Sequence, residues 1–270
     1  MRAILQLLKE QYTYRHLIFR LAVFEQRSKF QMHYLGGLWQ FFNPVMQASV
    51  FFIIFGLGIR GGQPVDGTPY FIWFLCGFIP WFFLRPTILQ GANSIHRKIW
   101  MVSKMKFPVS VLPSIVIVGN SLSFFIMLAI LAIFLGVYSV FSGWYLLQLP
   151  YYLLCLYAFL YVFSLLSATL STVVRDYYQL LEAGMRMLFF LTPIIWVPTT
   201  MAEKADWLLP FLHLNPFFYL LEGFRDTFIG RAWFFSDLSY MAFFWTGILV
   251  LAFIGTHVHL KFKNSFVDYL

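Results

Sequence analysis

Four cations and three amides are the residues in this sequence whose types and spacing carry chemical consequence. The cations, Arg97, Lys98, Lys104 and Lys106, fall within residues 91–113 with no acid among them. The amides, Gln40, Asn43 and Gln47, stand at i, i+3 and i+7 and so form one stripe on a helix. Cations in a short loop resist translocation and mark the cytoplasmic side of a membrane. Amides in an apolar run need hydrogen-bond partners, so the stripe faces protein or water rather than hydrocarbon. It either bonds to a neighbouring helix or lines a hydrophilic path.

Catalytic patterns are missing. The sequence contains no G-x-x-x-x-G-K-[ST] phosphate loop, no H-E-x-x-H and no G-x-S-x-G. His257 and His259 are two apart, so a helix points them in different directions, which argues against a metal site. No paired carboxylates suggest proton carriage. Cys76 and Cys155 lie inside apolar runs, as small hydrophobes do. The chain is expected to be no enzyme, with no cofactor, no metal and no ATP hydrolysis of its own.

The elements that position these groups follow from composition. The 270 residues are 60% hydrophobic and 11% charged, with mean hydropathy +0.74. A soluble domain carries about 25% charged residues, so lipid must be the solvent of this chain. Aromatics reach 21%, with 34 Phe. Interfacial belts account for some Tyr and Trp; the Phe excess is lipid-facing bulk or the lining of a path. The formal charge of +8 belongs at the inner leaflet, and nucleic acid is discounted.

The fold class predicted is all-α integral membrane, with six transmembrane helices, an N-terminal amphipathic interface helix and an outer re-entrant helical hairpin between spans 5 and 6. Residues 1–38 are polar and basic, with no apolar signal-peptide core. Tyr14, Leu17, Ile18, Leu21 and Phe24 share an arc there, interrupted by Glu25. The transmembrane domain, residues 39–263, is predicted to hold spans at about 39–59, 69–90, 109–138, 146–173, 181–198 and 238–260, against the ~20 residues a bilayer requires; the third is longer than that, so it tilts or projects into the cytoplasm. Residues 264–270 form a tail. Arg85-Pro86 interrupts the second span near its inner end, where Arg85 either snorkels toward headgroups, the favoured reading, or is a buried functional charge. Gly119, Asn120, Ser121 and Ser123 make the middle of the third span polar. In the fourth, Ser164, Ala168 and Thr172 repeat every four residues beside Ser167 and Ser171, a seam for close helix approach. Glu182 and Arg186 are spaced for an i,i+4 pair. Residues 198–237 mix charge with apolar clusters, as a re-entrant hairpin in the outer half of the membrane would. Basic residues concentrate in segments assigned to the inside (Arg2, Lys9, Arg15, Arg20, Arg27, Lys29, the four loop cations, Arg175, Arg186, Lys261, Lys263), against Arg60, Lys204, Arg225 and Arg231 outside. Both termini are therefore expected in the cytoplasm, with the chain multi-pass in the cell membrane.

Several stretches together resemble the membrane subunit of ABC-2 type polysaccharide exporters: KFQMHYLGGLWQFFNPVMQ at 29–47, GFIPWFF at 77–83, NSIHRKIWMVSKMKFPVSVLPS at 93–114 and LNPFFYLLEGFRDTF at 214–228. Within that family, residues 55–70 and the loop form MVSKMKFP look most like the wall teichoic acid branch; exporters of lipid-linked O-antigen or capsular polysaccharide are close relatives. The resemblance implies a homodimer working with two separate ABC ATPase subunits, which would hold the ATP and Mg, and a lipid-linked polymer as cargo moved outward through membrane lipid. It assigns a helix at 94–102 to ATPase docking, with Ser94, Ile95, His96, Arg97, Lys98, Ile99, Trp100 and Met101, and gives Arg175 and Asp176 a smaller second contact. Gln40, Asn43 and Gln47, with Trp73, Trp81 and Trp196 as rings on which sugars slide, are the candidate conduit lining. Asn215, Pro216 and Arg225 match the family pattern in a structural role. An uncoupled channel or scaffold subunit is the alternative of another class.

Overall fold

The structure, a computed structural model, describes residues 2–30, 34–59, 63–98, 107–140, 142–198, 208–263 and 266. Among the described residues ten α-helices form: α1 (Arg2–Thr13), α2 (Arg15–Phe30), α3 (Trp39–Phe51), α4 (Tyr70–Ala92), α5 (Leu112–Val137), α6 (Leu149–Val173), α7 (Tyr177–Leu191), α8 (Leu208–His213), α9 (Pro216–Arg225) and α10 (Leu238–Phe262). Helix is the expected solution, because in hydrocarbon it alone satisfies every backbone group within one segment. The one β pairing among the described residues joins Val65 to Thr68. Asp66 and Gly67 both take positive φ there, the tight reversal that an Asp-Gly pair favours.

Among the described residues five helical stretches are long and apolar enough to cross a membrane: Gly36–Ile54, Tyr70–Ala92, Val109–Val137, Gly143–Val173 and Leu238–Phe262. The expected span at 181–198 is not one continuous helix. α7 has 15 residues, about 22 Å at 1.5 Å per residue, against about 30 Å of hydrocarbon. It stops because Thr192, preceding Pro193, takes extended geometry at φ −81°, ψ 135°. The predicted Glu182–Arg186 ion pair is not made among the described residues.

α4 is the centre. Its apolar residues surround it completely, the pattern of a helix buried on all sides, and Ile72, Phe74, Cys76, Leu84 and Ile88 have no exposure. α5, α6 and α9 pack around it, and α10 packs on the far side of α6. The predicted small-residue seam of α6 faces inward: Ser164, Ser167 and Ala168 have no exposure. A Cβ on Gly91 of α4 would lie 2.8 Å from the Ser164 Oγ, so these two helices meet at small residues. Ser171 Oγ also donates to the Ala92 carbonyl at the inner end of α4.

Much of the Phe excess sits in neither place the sequence suggested. Rings fill the protomer core: Phe74, Phe78 and Phe82 run in sequence along α4, and Phe83 stacks on Phe124 of α5 at 4.4 Å. Other rings do face outward, such as Phe190 and Phe253.

The N-terminal segment, expected as one interface helix, is two, broken at Tyr14. Gln11 holds α1 to the start of α5 and to α6: its Nε2 donates to the Ser110 carbonyl at 3.0 Å and to the Tyr161 hydroxyl at 3.1 Å, and its Oε1 accepts from Ser114 at 2.7 Å. α2 lies along α5, burying Ile18 and Ala22, while Tyr14 and Phe24 of the predicted arc are exposed.

Arg225 pins α9 to α4. It is fully buried, with its guanidinium 3.6 Å from the centroid of the Trp73 ring and Nη2 donating to the Ile194 carbonyl at 3.1 Å. Glu222 balances it at 2.5 Å and also binds Arg231. Burial pushes the Glu222 carboxyl up, but the two arginines outweigh it and hold the group below the usual carboxylate range. Asn215 caps α9 through Phe217 N–H and reaches Thr192 at the end of α7 with its own amide, and Pro216 takes the first helical turn. The structural role expected of these three residues is the one their contacts display.

Close approach makes α9 sensitive to added volume. A Cβ on Gly223 would fall inside the Tyr152 ring. Gly223→Ala is expected to lower the thermal midpoint of the purified protein by an amount equivalent to about 1–3 kcal/mol, the usual penalty of overpacking. An unchanged midpoint would contradict this contact.

Candidate functional site: a basic elbow and an amide-lined groove

After α4 the chain turns through residues 93–98, with a single 3₁₀ turn at His96–Lys98. The predicted docking set divides there. Ser94 and Ile95 are buried, at 2% and 0% exposure, and Ile95 packs with Leu112, Ile115 and Ala168. Those two therefore pack the turn onto the chain's own core. His96 and Arg97 are exposed. Lys98 turns back to form an ion pair with Glu25 of α2, the acid that interrupted the α2 arc. Ile99, Trp100 and Met101, with the remainder of the predicted 94–102 helix, lie outside the described residues. Arg175 and Asp176 are exposed at the turn between α6 and α7, and the Ser171–Ala92 bond brings that turn to the same end of the molecule as residues 93–98.

Behind this elbow lies a cavity of about 550 Å³ between α2, the 94–98 turn and α5. Arg97 and Lys98 stand at one side of it, Gln26, Gln90 and Asn120 at the other. The same three amides also line a second cavity of about 300 Å³, which continues along α4 and α5 to Asn43, Trp39 and Ser123. The amides bond to one another and to the helices. Gln26 Nε2 donates to the Gly119 carbonyl and, at 3.4 Å, to Asn120 Oδ1. Asn120 Nδ2 donates to Thr87 at 3.1 Å and to Gln90 at 3.3 Å. Each is an amide that hydrocarbon would penalise by several kcal/mol if left unpaired. Together they make a polar track from the basic elbow toward the middle of the membrane-length helices.

The stripe predicted on α3 is split between two places. Asn43 joins the amide track. Gln47 faces a separate cavity of about 330 Å³ that Trp81 also lines. The side chain of Gln40 lies outside the described residues. Trp73, predicted as a lining ring, has 1% exposure and lies under Arg225; it is structural, because a buried guanidinium needs the face of that ring. Trp196 is half-buried in the turn after α7, where its indole N–H donates to the Phe190 carbonyl at 2.9 Å. Sequence reasoning missed Gln26 and Gln90 as site residues. The available signal was their type, since an amide at the edge of an apolar run requires a partner.

Amides and cations of this kind offer hydrogen bonds and positive charge to a ligand. Among the described residues no cluster of His, Cys, Asp and Glu is arranged to hold a metal ion. Both cysteines are buried and free.

A family model described as ABC-2 type transporter matches residues 16–229. The chain is similar to the O-antigen export system permease protein RfbA of Myxococcus xanthus, 26% identical over 224 residues, covering 83% of this chain and 84% of that one. It is also similar to the O-antigen export system permease protein RfbA of Klebsiella pneumoniae, 24% identical over 269 residues, covering 97% and 99%.

The seat of α2 against α5 can be tested by cross-linking. A Cβ on Gly119 would stand 3.5 Å from the Gln26 Cγ, within reach of a disulfide. Gln26→Cys with Gly119→Cys should oxidise readily within one chain in membranes, and the buried native cysteines should stay silent. Failure to cross-link would mean that α2 does not close this groove.

Proposed function

The chain belongs to the ABC-2 type transporter family, and from that premise we propose that it is the permease subunit of an ATP-driven exporter of a lipid-linked polysaccharide. ATP hydrolysis belongs to a separate ABC ATPase bound beneath it. The observation that carries this reading is the amide track running from Arg97 to Asn43. A polymer of hydroxyls cannot enter hydrocarbon, since each unpaired polar group costs about 2–7 kcal/mol. It needs a lined path, while its lipid tail remains in the bilayer.

The O-antigen class of cargo is favoured, because both relatives carry that description over most of their length. Wall teichoic acid is the second reading, and it rests on residues 55–70 and 101–108 alone. The described helices of one chain enclose no closed conduit, so two copies and two ATPases make the working assembly. α3 supports this: its Phe42, Met46 and Val50 are exposed, as is Ile53 just beyond it, and the helix touches the rest of its own chain little. A second copy beside α3 would close the tracks that carry Asn43 and Gln47. With α7 and the turn after it as the fifth crossing, and α8–α9 dipping back from the outer face, both termini lie in the cytoplasm.

The exposed His96, Arg97, Arg175 and Asp176 share one end of the molecule and form the ATPase contact, with Ile95 as its internal anchor. Arg97→Glu combined with Arg175→Glu should cut cargo-stimulated ATP hydrolysis about tenfold, as expected when interfacial charge pairs are reversed, and leave membrane insertion intact. Normal hydrolysis and co-purification of the ATPase would remove these residues from the interface. Cells lacking the protein should lose surface polysaccharide and accumulate its lipid-linked form inside. The sugar composition of what accumulates decides between O-antigen and teichoic acid, and no accumulation would overturn the export reading.

A further inference from the structure

Two arginines outside the amide track share a cavity. Arg85 of α4 and Arg186 of α7 both line the space of about 330 Å³ that holds Gln47 and Trp81, with Phe82 and Phe190 among its walls. Arg85 lies seven residues before the inner end of α4, and Arg186 nine residues after the inner start of α7. At 1.5 Å per residue both stand about 10–14 Å in from the ends of their helices, at matching depth.

Neither has a carboxylate within 4 Å among the described residues; the ion pairs formed there involve Glu25, Asp66, Glu222 and Asp226. Arg186 does not turn to Glu182, although the spacing allows it. Arg85 is half-buried and Arg186 exposed, and like charges lining one cavity repel each other. Both the repulsion and the absence of a counter-ion are relieved by one bound anion.

We infer that Arg85 and Arg186 form a binding site for the phosphate of a lipid-anchored headgroup, the linker of the exported polymer. This rests on the reading that the cargo is lipid-linked. Guanidinium forks match phosphate oxygens in pairs of parallel hydrogen bonds. Gln47 adds an amide for a third oxygen or the first sugar. The aromatic walls accept methylenes, which a free inorganic anion does not have. A cavity of this volume falls within the range of small-ligand sites, about 300–1,000 Å³. The site stands apart from the amide track, with Pro86 and Phe82 lining both cavities, so the linker and the sugars of one cargo molecule have neighbouring seats.

The test uses the permease–ATPase complex in detergent, with Trp fluorescence and radiolabelled farnesyl diphosphate as the probe. Wild type should bind saturably. Arg85→Gln and Arg186→Gln should each weaken binding about tenfold or more, as loss of a charge-assisted hydrogen bond does, with thermal midpoints unchanged because neither residue belongs to the fold's ion pairs. Arg85→Lys and Arg186→Lys, which keep charge and lose the fork, should fall between. Should a Gln variant fail to fold, the Lys variants and a fall in wild-type affinity with rising salt carry the test. Inorganic phosphate and farnesol should compete poorly. Unchanged affinity in the Gln and Lys variants overturns the site. Displacement by phosphatidylglycerol at equal concentration assigns it to bulk lipid and overturns the linker. Binding that persists in a protein whose deletion leaves surface polysaccharide intact would preserve the site and remove the export reading instead.

Discussion

The fold depends on one charge that has no water. Arg225 is completely buried, and an isolated ion in such a place would cost several kcal/mol. It is tolerated because Glu222, the Trp73 ring and the carbonyls of Trp73 and Ile194 surround it together. Those groups come from α9, the outer part of α4 and the turn after α7. None of these can move away without stranding the guanidinium. Gly77 completes the seat, since a Cβ there would lie 2.5 Å from Arg225 Nη2. One side chain thus fixes how the outer segment sits on the central helix.

Lipid as solvent changes what else can hold the helices together. Lipid tails are as apolar as leucine, so burying apolar surface against another helix contributes little between spans. Close approach and hydrogen bonds take its place. α4 meets α6 where Gly91 faces Ser164. α6, α9 and α10 meet where the Tyr151 hydroxyl bonds to Tyr219 at 2.8 Å and accepts from Trp245 at 3.1 Å. α2 is joined to α5 and α4 by the amides that also line the groove. The same groups therefore both join the helices and line the cavities.

Several features were legible because they are local. The α6 seam could be read from its four-residue period, and the inner elbow from its uncompensated charge. The stop of α7 was available in Thr192-Pro193 but passed over, since the apolar run continues beyond it. Other placements are not local. Trp73 and Trp81 are both buried on one helix, yet one lies under Arg225 and the other lines a cavity. Ile95 and Arg97 are neighbours in the same short turn, but only the second faces outward.

Sequence alone pointed to lipid as the solvent, to helices as the elements, to a cation-rich loop after the second apolar run and to the family that the pattern resembles. Each of those follows from composition or from spacing within a turn or two of helix. Tertiary structure decided which partner each polar group found: Glu25 with Lys98, Gln26 with Asn120, Arg225 with Trp73, and Arg85 beside Arg186 rather than beside an acid. These pairs lie dozens to more than a hundred positions apart in the chain. Their meeting depends on how whole helices rotate and approach, which no short-range period encodes.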